Sequence, residues 1–152
     1  MLSDEALREI EACKAEESRK QHALLTALRL TQAERRHVGP QEVLYIADLL
    51  DLSPATVEGV ARFYDQITKE PTGNRVLSIC RGISCYLCGA DGAAREAAAA
   101  LGVDQGGSQA EGRVTIRHVE CIGDCDHAPA AMLDSTFIGP LDPASLSALI
   151  ER

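Results

Sequence analysis

Six cysteines stand in this sequence, and five of them, Cys80, Cys85, Cys88, Cys121 and Cys125, fall in one stretch while Cys13 lies apart. Grouping of this kind marks a site rather than a disulfide framework. Cys80-Arg81-Gly82-Ile83-Ser84-Cys85 is a Cys-x4-Cys pair, and Cys121-Ile122-Gly123-Asp124-Cys125 is a Cys-x3-Cys pair. Thiolates are soft donors, and four of them complete a [2Fe-2S] cluster, each iron taking two cysteine sulfurs besides the bridging sulfides. Gly82 and Gly123 lie inside the two loops, where backbone passes close to sulfur and donates N–H bonds to it.

Other chemistries compete for the same thiols. Cys80-x4-Cys85-x2-Cys88 followed by a distant Cys121 has the plant-type ferredoxin spacing, which leaves Cys125 spare. Cys85-Tyr86-Leu87-Cys88 lies between a strand and a helix start, the setting of a thioredoxin-type redox pair. Structural zinc on cysteines, alone or with His118 and His127, is a third possibility, although zinc sites usually contain a tight Cys-x2-Cys turn. The set Cys80, Cys85, Cys121 and Cys125 is preferred, because two pairs following two strands suit a βαβ unit better than the β-rich plant-type fold. Cys88 is then expected to be a small buried filler. Cys13, at helical spacing from Ala6 and Glu9, reads as a packing residue, and His22 and His37 as surface residues.

These loops need a sheet to hold them. Arg75 to Cys80 is a β-rich run after the turn Pro71-Thr72-Gly73-Asn74, and Val114 to Val119 is a second strand. Between them Gly89 to Leu101 is Ala-rich and helix-favouring, is stopped by Gly102, and is followed by a flexible loop at Gln105-Gly106-Gly107-Ser108. If the strands are parallel neighbours, about 5 Å apart, both cysteine pairs leave the sheet at one edge. Ala130 to Leu133 and Thr136 to Ile138 read as short strands about Asp134-Ser135, and Asp142-Pro143 starts a last helix with Leu146, Leu149 and Ile150 inward. The order β-α-β-β-β-α is that of a thioredoxin-like α/β domain over residues 71–152.

Residues 1–70 read as an all-helical extension. Leu2, Ala6, Ile10 and Cys13, then Leu24, Leu25, Leu28 and Leu30, recur at three and four residues. Gly39-Pro40 opens a helix with Val43, Leu44, Ile46, Ala47 and Leu50 on its apolar face. Ser53-Pro54 opens another, with Val57, Val60, Ala61, Tyr64 and Ile67 as the buried stripe. These faces are expected either to dock a partner or to pack on their own domain.

An apolar fraction of 45% over 152 residues supports an ordinary core without cysteine staples. A formal charge of −8 with scarce aromatics argues against a nucleic-acid binder. The first residues carry no signal-peptide pattern and no stretch is apolar enough to insert in a membrane, so a cytoplasmic protein is expected, free in solution or on the cytoplasmic face of a membrane complex. Neither a catalytic triad, a Walker loop nor a dinucleotide fingerprint is present.

From about Val43 to the C-terminus the chain resembles the thioredoxin-like [2Fe-2S] ferredoxins, the 24 kDa subunit family of NADH:quinone oxidoreductase. The resemblance rests on Val57-Glu58-Gly59-Val60-Ala61-Arg62-Phe63-Tyr64, on Cys80-x4-Cys85, and on Val119-Glu120-Cys121-Ile122-Gly123-Asp124-Cys125 followed by Ala128-Pro129. It departs from the family at Arg62, where a small or hydroxyl residue is common, and at the extra Cys88. The resemblance implies an electron-transfer subunit with one [2Fe-2S] cluster and no substrate site of its own. It also implies a flavin-containing partner subunit that holds FMN and NAD(H), in NADH:quinone oxidoreductase or, alternatively, an NAD-dependent formate dehydrogenase or NAD-linked hydrogenase.

Overall fold

Proline and glycine punctuate the first part of the chain as their backbone limits require. In the computed structural model, which describes residues 2–16, 20–103, 114–142 and 145, four helices form: α1 (Asp4–Glu16), α2 (Ala23–Arg35), α3 (Pro40–Leu50) and α4 (Pro54–Phe63). The Ser3 hydroxyl accepts from the Ala6 N–H at 3.2 Å, and the Ser53 hydroxyl accepts from the Thr56 N–H at 3.1 Å, so orphan donors of α1 and α4 are satisfied. Pro40 and Pro54 take the first helical positions, where a missing N–H costs nothing.

The chain divides into two units, Met1–Pro71 and Thr72–Arg152. Within the first, Leu2, Ile10, Leu24, Leu28, Ile46, Leu50 and Val57 bury on one another, with Cys13 packed at the margin. Leu44 and Tyr64, expected on the inward stripes, are exposed instead. Leu44 falls off the Val43-Ile46-Ala47-Leu50 face at helical pitch, and Tyr64 comes after α4 has already turned to extended backbone.

The second unit is built on a four-stranded sheet: β1 (Arg75–Cys80), β2 (Val114–Val119), β3 (Ala131–Leu133) and β4 (Thr136–Ile138), in the order β2-β1-β3-β4. β1 and β2 are parallel neighbours with Cys80 opposite Val119, while β3 and β4 are antiparallel additions on the other side of β1. Two helices lie between β1 and β2: the short α5 (Ile83–Leu87) and the longer α6 (Ala90–Leu101). Sequence pattern predicts only α6. The five residues of α5 are too few to reveal a helical period.

Ala93, Ala94, Ala97 and Ala98 of α6 pack against Leu77, Ile79 and Ile116 of the sheet. Their small side chains let the helix lie close to the branched residues of the strands. Gly102, at φ 65°, ends α6 in the left-handed conformation that glycine adopts without strain. The Gln105–Ser108 loop and the last helix with Leu146, Leu149 and Ile150 lie outside the described residues, although the Asp142 carboxylate accepts from the Ser145 N–H at 2.7 Å, as a helix cap would. No described helix is long and apolar enough to cross a membrane.

Candidate functional site

Parallel pairing of β1 with β2 brings the ends of both strands to one edge of the sheet, and the cysteine loops begin there. Cys80 is the last residue of β1 and Cys85 lies in the middle of α5; both are buried. Cys121 and Cys125 follow β2 and are exposed. The Cys80 sulfur hydrogen-bonds with the thiols of Cys85 and Cys121, and Cys85 in turn feels the charge of Cys125. Both cysteine loops thus start from the same end of the parallel pair.

Cys88 has a different place. It caps the C-terminal end of α5 and is exposed, so the expectation of a buried filler is corrected. Five residues complete little more than one helical turn, and Cys88 follows the chain outward while Cys85 faces the core.

Backbone donors surround the two buried sulfurs. Gly82 N–H donates to Cys80 Sγ at 3.4 Å, Ala130 N–H donates to Cys85 Sγ at 3.4 Å, and Ile122 N–H also reaches Cys80. Burial pushes the Cys80 thiol up, but the Ile122 and Gly82 N–H groups and the two neighbouring thiols outweigh it and hold Cys80 below the ordinary thiol range. Burial dominates at Cys85, where the Ala130 N–H opposes it and Cys80 and Cys125 reinforce it, so this thiol is raised. A thioredoxin-type nucleophile needs the opposite shift.

Two glycines make the loops possible. A Cβ at Gly82 would sit 3.1 Å from the Glu120 carbonyl oxygen, 3.4 Å from Cys80 Sγ and 3.6 Å from Cys121 Cβ, so a bare backbone is what allows the two loops to approach. Gly123, between Cys121 and Cys125, has φ 84°, which favours glycine.

Residues 10–152 match the family of thioredoxin-like [2Fe-2S] ferredoxins. The chain belongs to that family. This ferredoxin is 35% identical over 129 residues to the E-type subunit of NADH-quinone oxidoreductase from Pseudomonas aeruginosa, a match covering 85% of this chain and 78% of that protein. It is 33% identical over 143 residues to a second such E-type subunit, that of Rhizobium meliloti, covering 94% of this chain and 85% of the relative. Among solved structures, an NAD+-reducing [NiFe]-hydrogenase in the H2-reduced state shares the fold, with a TM-score of 0.67 at 23% identity over 82% of this chain. The ferredoxin spans only 21% of that hydrogenase chain.

Of the two histidines of the ferredoxin domain, His127 is held by the acidic residues of its own loop, whereas the buried Nδ1 of His118 has no hydrogen-bond partner among the described residues. His127 Nδ1 lies 2.8 Å from an Asp124 oxygen, and this bond, with the charges of Asp126 and Asp124, raises its pKa. Burial and the nearby Arg81 lower that of His118, with Asp91 opposing. Sequence reasoning missed the part of Ala130, whose carbonyl accepts from the Cys80 N–H at 3.0 Å while its own N–H serves Cys85. The only signal available was the Ala128-Pro129 step that delivers it, since a backbone donor leaves no residue type to read.

Proposed function

We propose that this chain holds one [2Fe-2S] cluster on Cys80, Cys85, Cys121 and Cys125 and acts as an electron-transfer subunit of an NAD(H)-linked oxidoreductase, with FMN and NAD(H) on a flavin-containing partner. The observation that supports the reading is the parallel pairing of β1 and β2, with Cys80 opposite Val119, so that both cysteine pairs follow from one sheet edge. Their soft donor chemistry, the N–H groups directed at Cys80 and Cys85, and the space kept at Gly82 all fit that group. Bound there, the cluster supplies one-electron exchange.

The protein's own residues hold and tune it. N–H donation from Gly82, Ile122 and Ala130 offsets negative charge on sulfur and favours the reduced state, whereas Glu120, Asp124 and Asp126 oppose added negative charge. Burial of Cys80 and Cys85 excludes water from one side of the site, and exposure of Cys121 and Cys125 opens the other. The relatives from NADH-quinone oxidoreductases favour that enzyme over a formate dehydrogenase or hydrogenase as the parent complex. A docking role for the helical unit rests on exposed Leu44 and Phe63, because the apolar stripes are used in its own core.

The test is reduction by NADH. Added to the purified chain alone, NADH should leave the visible absorbance unchanged; with the flavin-containing subunit present, the absorbance should bleach. Bleaching of the isolated chain, or none in the mixture, would contradict the reading.

A further inference from the structure

A cleft of about 200 Å³ opens within the helical unit, which contains none of the site cysteines. Thr31 and Arg35, about one turn apart on α2, line it together with Gln41, Glu42 and Tyr45 from the first half of α3, and Leu2 completes the lining. The Ser3 N–H donates to the Glu34 carboxylate at 3.0 Å, which ties the start of the chain to α2 and keeps Leu2 in place. Pockets for drug-sized molecules run to about 300–1,000 Å³, so this cleft suits a molecule of few heavy atoms.

Its polar groups are short of partners. Thr31 is 1% exposed, yet its hydroxyl has no hydrogen bond among the described residues. The neighbouring Gln32, by contrast, donates to the Gln66 carbonyl at 2.7 Å and accepts from the Thr68 N–H at 2.6 Å. An orphaned buried hydroxyl carries a desolvation cost that a bound donor or acceptor removes. The side chains of Gln41 and Tyr45 make no hydrogen bond among the described residues either. Glu42 accepts from the Gly39 N–H at 3.0 Å through one carboxylate oxygen, and the other oxygen keeps its acceptor capacity. Arg35 already has an interaction, but a guanidinium carries several N–H donors and can serve a further acceptor.

Charge decides the class of occupant. The lining combines one cation, Arg35, and one anion, Glu42, with uncharged donors and acceptors. A lone anion would meet the Glu42 carboxylate and a lone cation the Arg35 guanidinium, whereas a molecule that carries both charges satisfies each. We propose that this cleft binds a small zwitterion, a free α-amino acid of the size of glycine or serine. Its carboxylate lies on Arg35 and its ammonium on Glu42, and the Thr31 and Tyr45 hydroxyls and the Gln41 amide complete its hydrogen bonds. The proposal does not depend on the cysteine chemistry, since every lining residue belongs to Met1–Pro71.

Titration of the full-length, isotope-labelled chain with glycine, followed by the magnetic resonance of its backbone amides, tests this. Glycine in the millimolar range should produce saturable shifts at Thr31, Gln41 and Tyr45. Acetate and methylammonium, which carry one of the two charges each, should bind at least about tenfold more weakly. Thr31→Val keeps the shape of the side chain and removes the hydroxyl, and should weaken glycine binding roughly three- to tenfold, as the loss of one hydrogen bond does. Glu42→Gln retains an acceptor for the Gly39 N–H, and should weaken glycine binding while leaving acetate binding no weaker. If that change loosens the start of α3, Arg35→Gln gives the complementary comparison, with glycine and acetate binding reduced together. Absence of any saturable shift with glycine would overturn the proposal and leave water as the partner of Thr31. So would equal affinity for acetate and glycine, or unchanged glycine affinity in folded Thr31→Val.

Discussion

Cys125 and Cys88 are both exposed, but Cys125 follows β2 in the second cysteine loop, whereas Cys88 caps the end of α5. Cys125→Ala should leave one iron a donor short, so that iron content falls or the spectrum shifts as a poorer donor is recruited. Cys88→Ala should retain iron and the reduced-state signal, at a stability cost within about 0.5 kcal/mol, as for other exposed positions. Gly82→Ala presses a methyl group on the Glu120 carbonyl and on Cys80 Sγ, at 3.1 and 3.4 Å. Moving those groups apart should cost about 1–3 kcal/mol and lengthen the Gly82 donor bond. Faster iron loss to a chelator than in the wild type is the expected result. At this scale the spacing of the cysteine pairs was enough to nominate the thiols, because ligand chemistry depends on residue type. The donors at Ile122 and Ala130 are backbone groups, and only folding reveals where they point.

Helix starts and strand pairs were legible where a residue's own backbone limits decide the matter. Ser53-Pro54 announced α4, and Arg75–Cys80 and Val114–Val119 emerged as the parallel pair that carries both loops. Ser53→Ala removes the hydroxyl that accepts from the Thr56 N–H at 3.1 Å, and should cost about 1 kcal/mol, seen as a lower thermal midpoint. The cysteine site should be unaffected, since this cap lies in the other unit. What sequence did not reveal is the small α5, whose residues Ile83, Tyr86 and Leu87 resemble a core segment by composition and are exposed in fact. Periodicity needs more than one turn to be visible.

Among the described residues buried side chains form three sets, one among α1 to α4, one between the sheet and α6, and a small one of Cys80, Cys85, Ala90 and Ala130 at the site. The cysteines of the site, their N–H donors and the four strands all belong to Thr72–Arg152. Expressed alone, residues 72–152 should hold iron and show the same visible spectrum as the full chain; loss of both would make the helical unit part of the site. The most direct test of the account is iron and acid-labile sulfide analysis of anaerobically purified full-length protein, joined to paramagnetic resonance after one-electron reduction. About two irons and two sulfides per chain, with a [2Fe-2S] signal in the reduced sample, are predicted. Stoichiometric zinc without labile sulfide would contradict it.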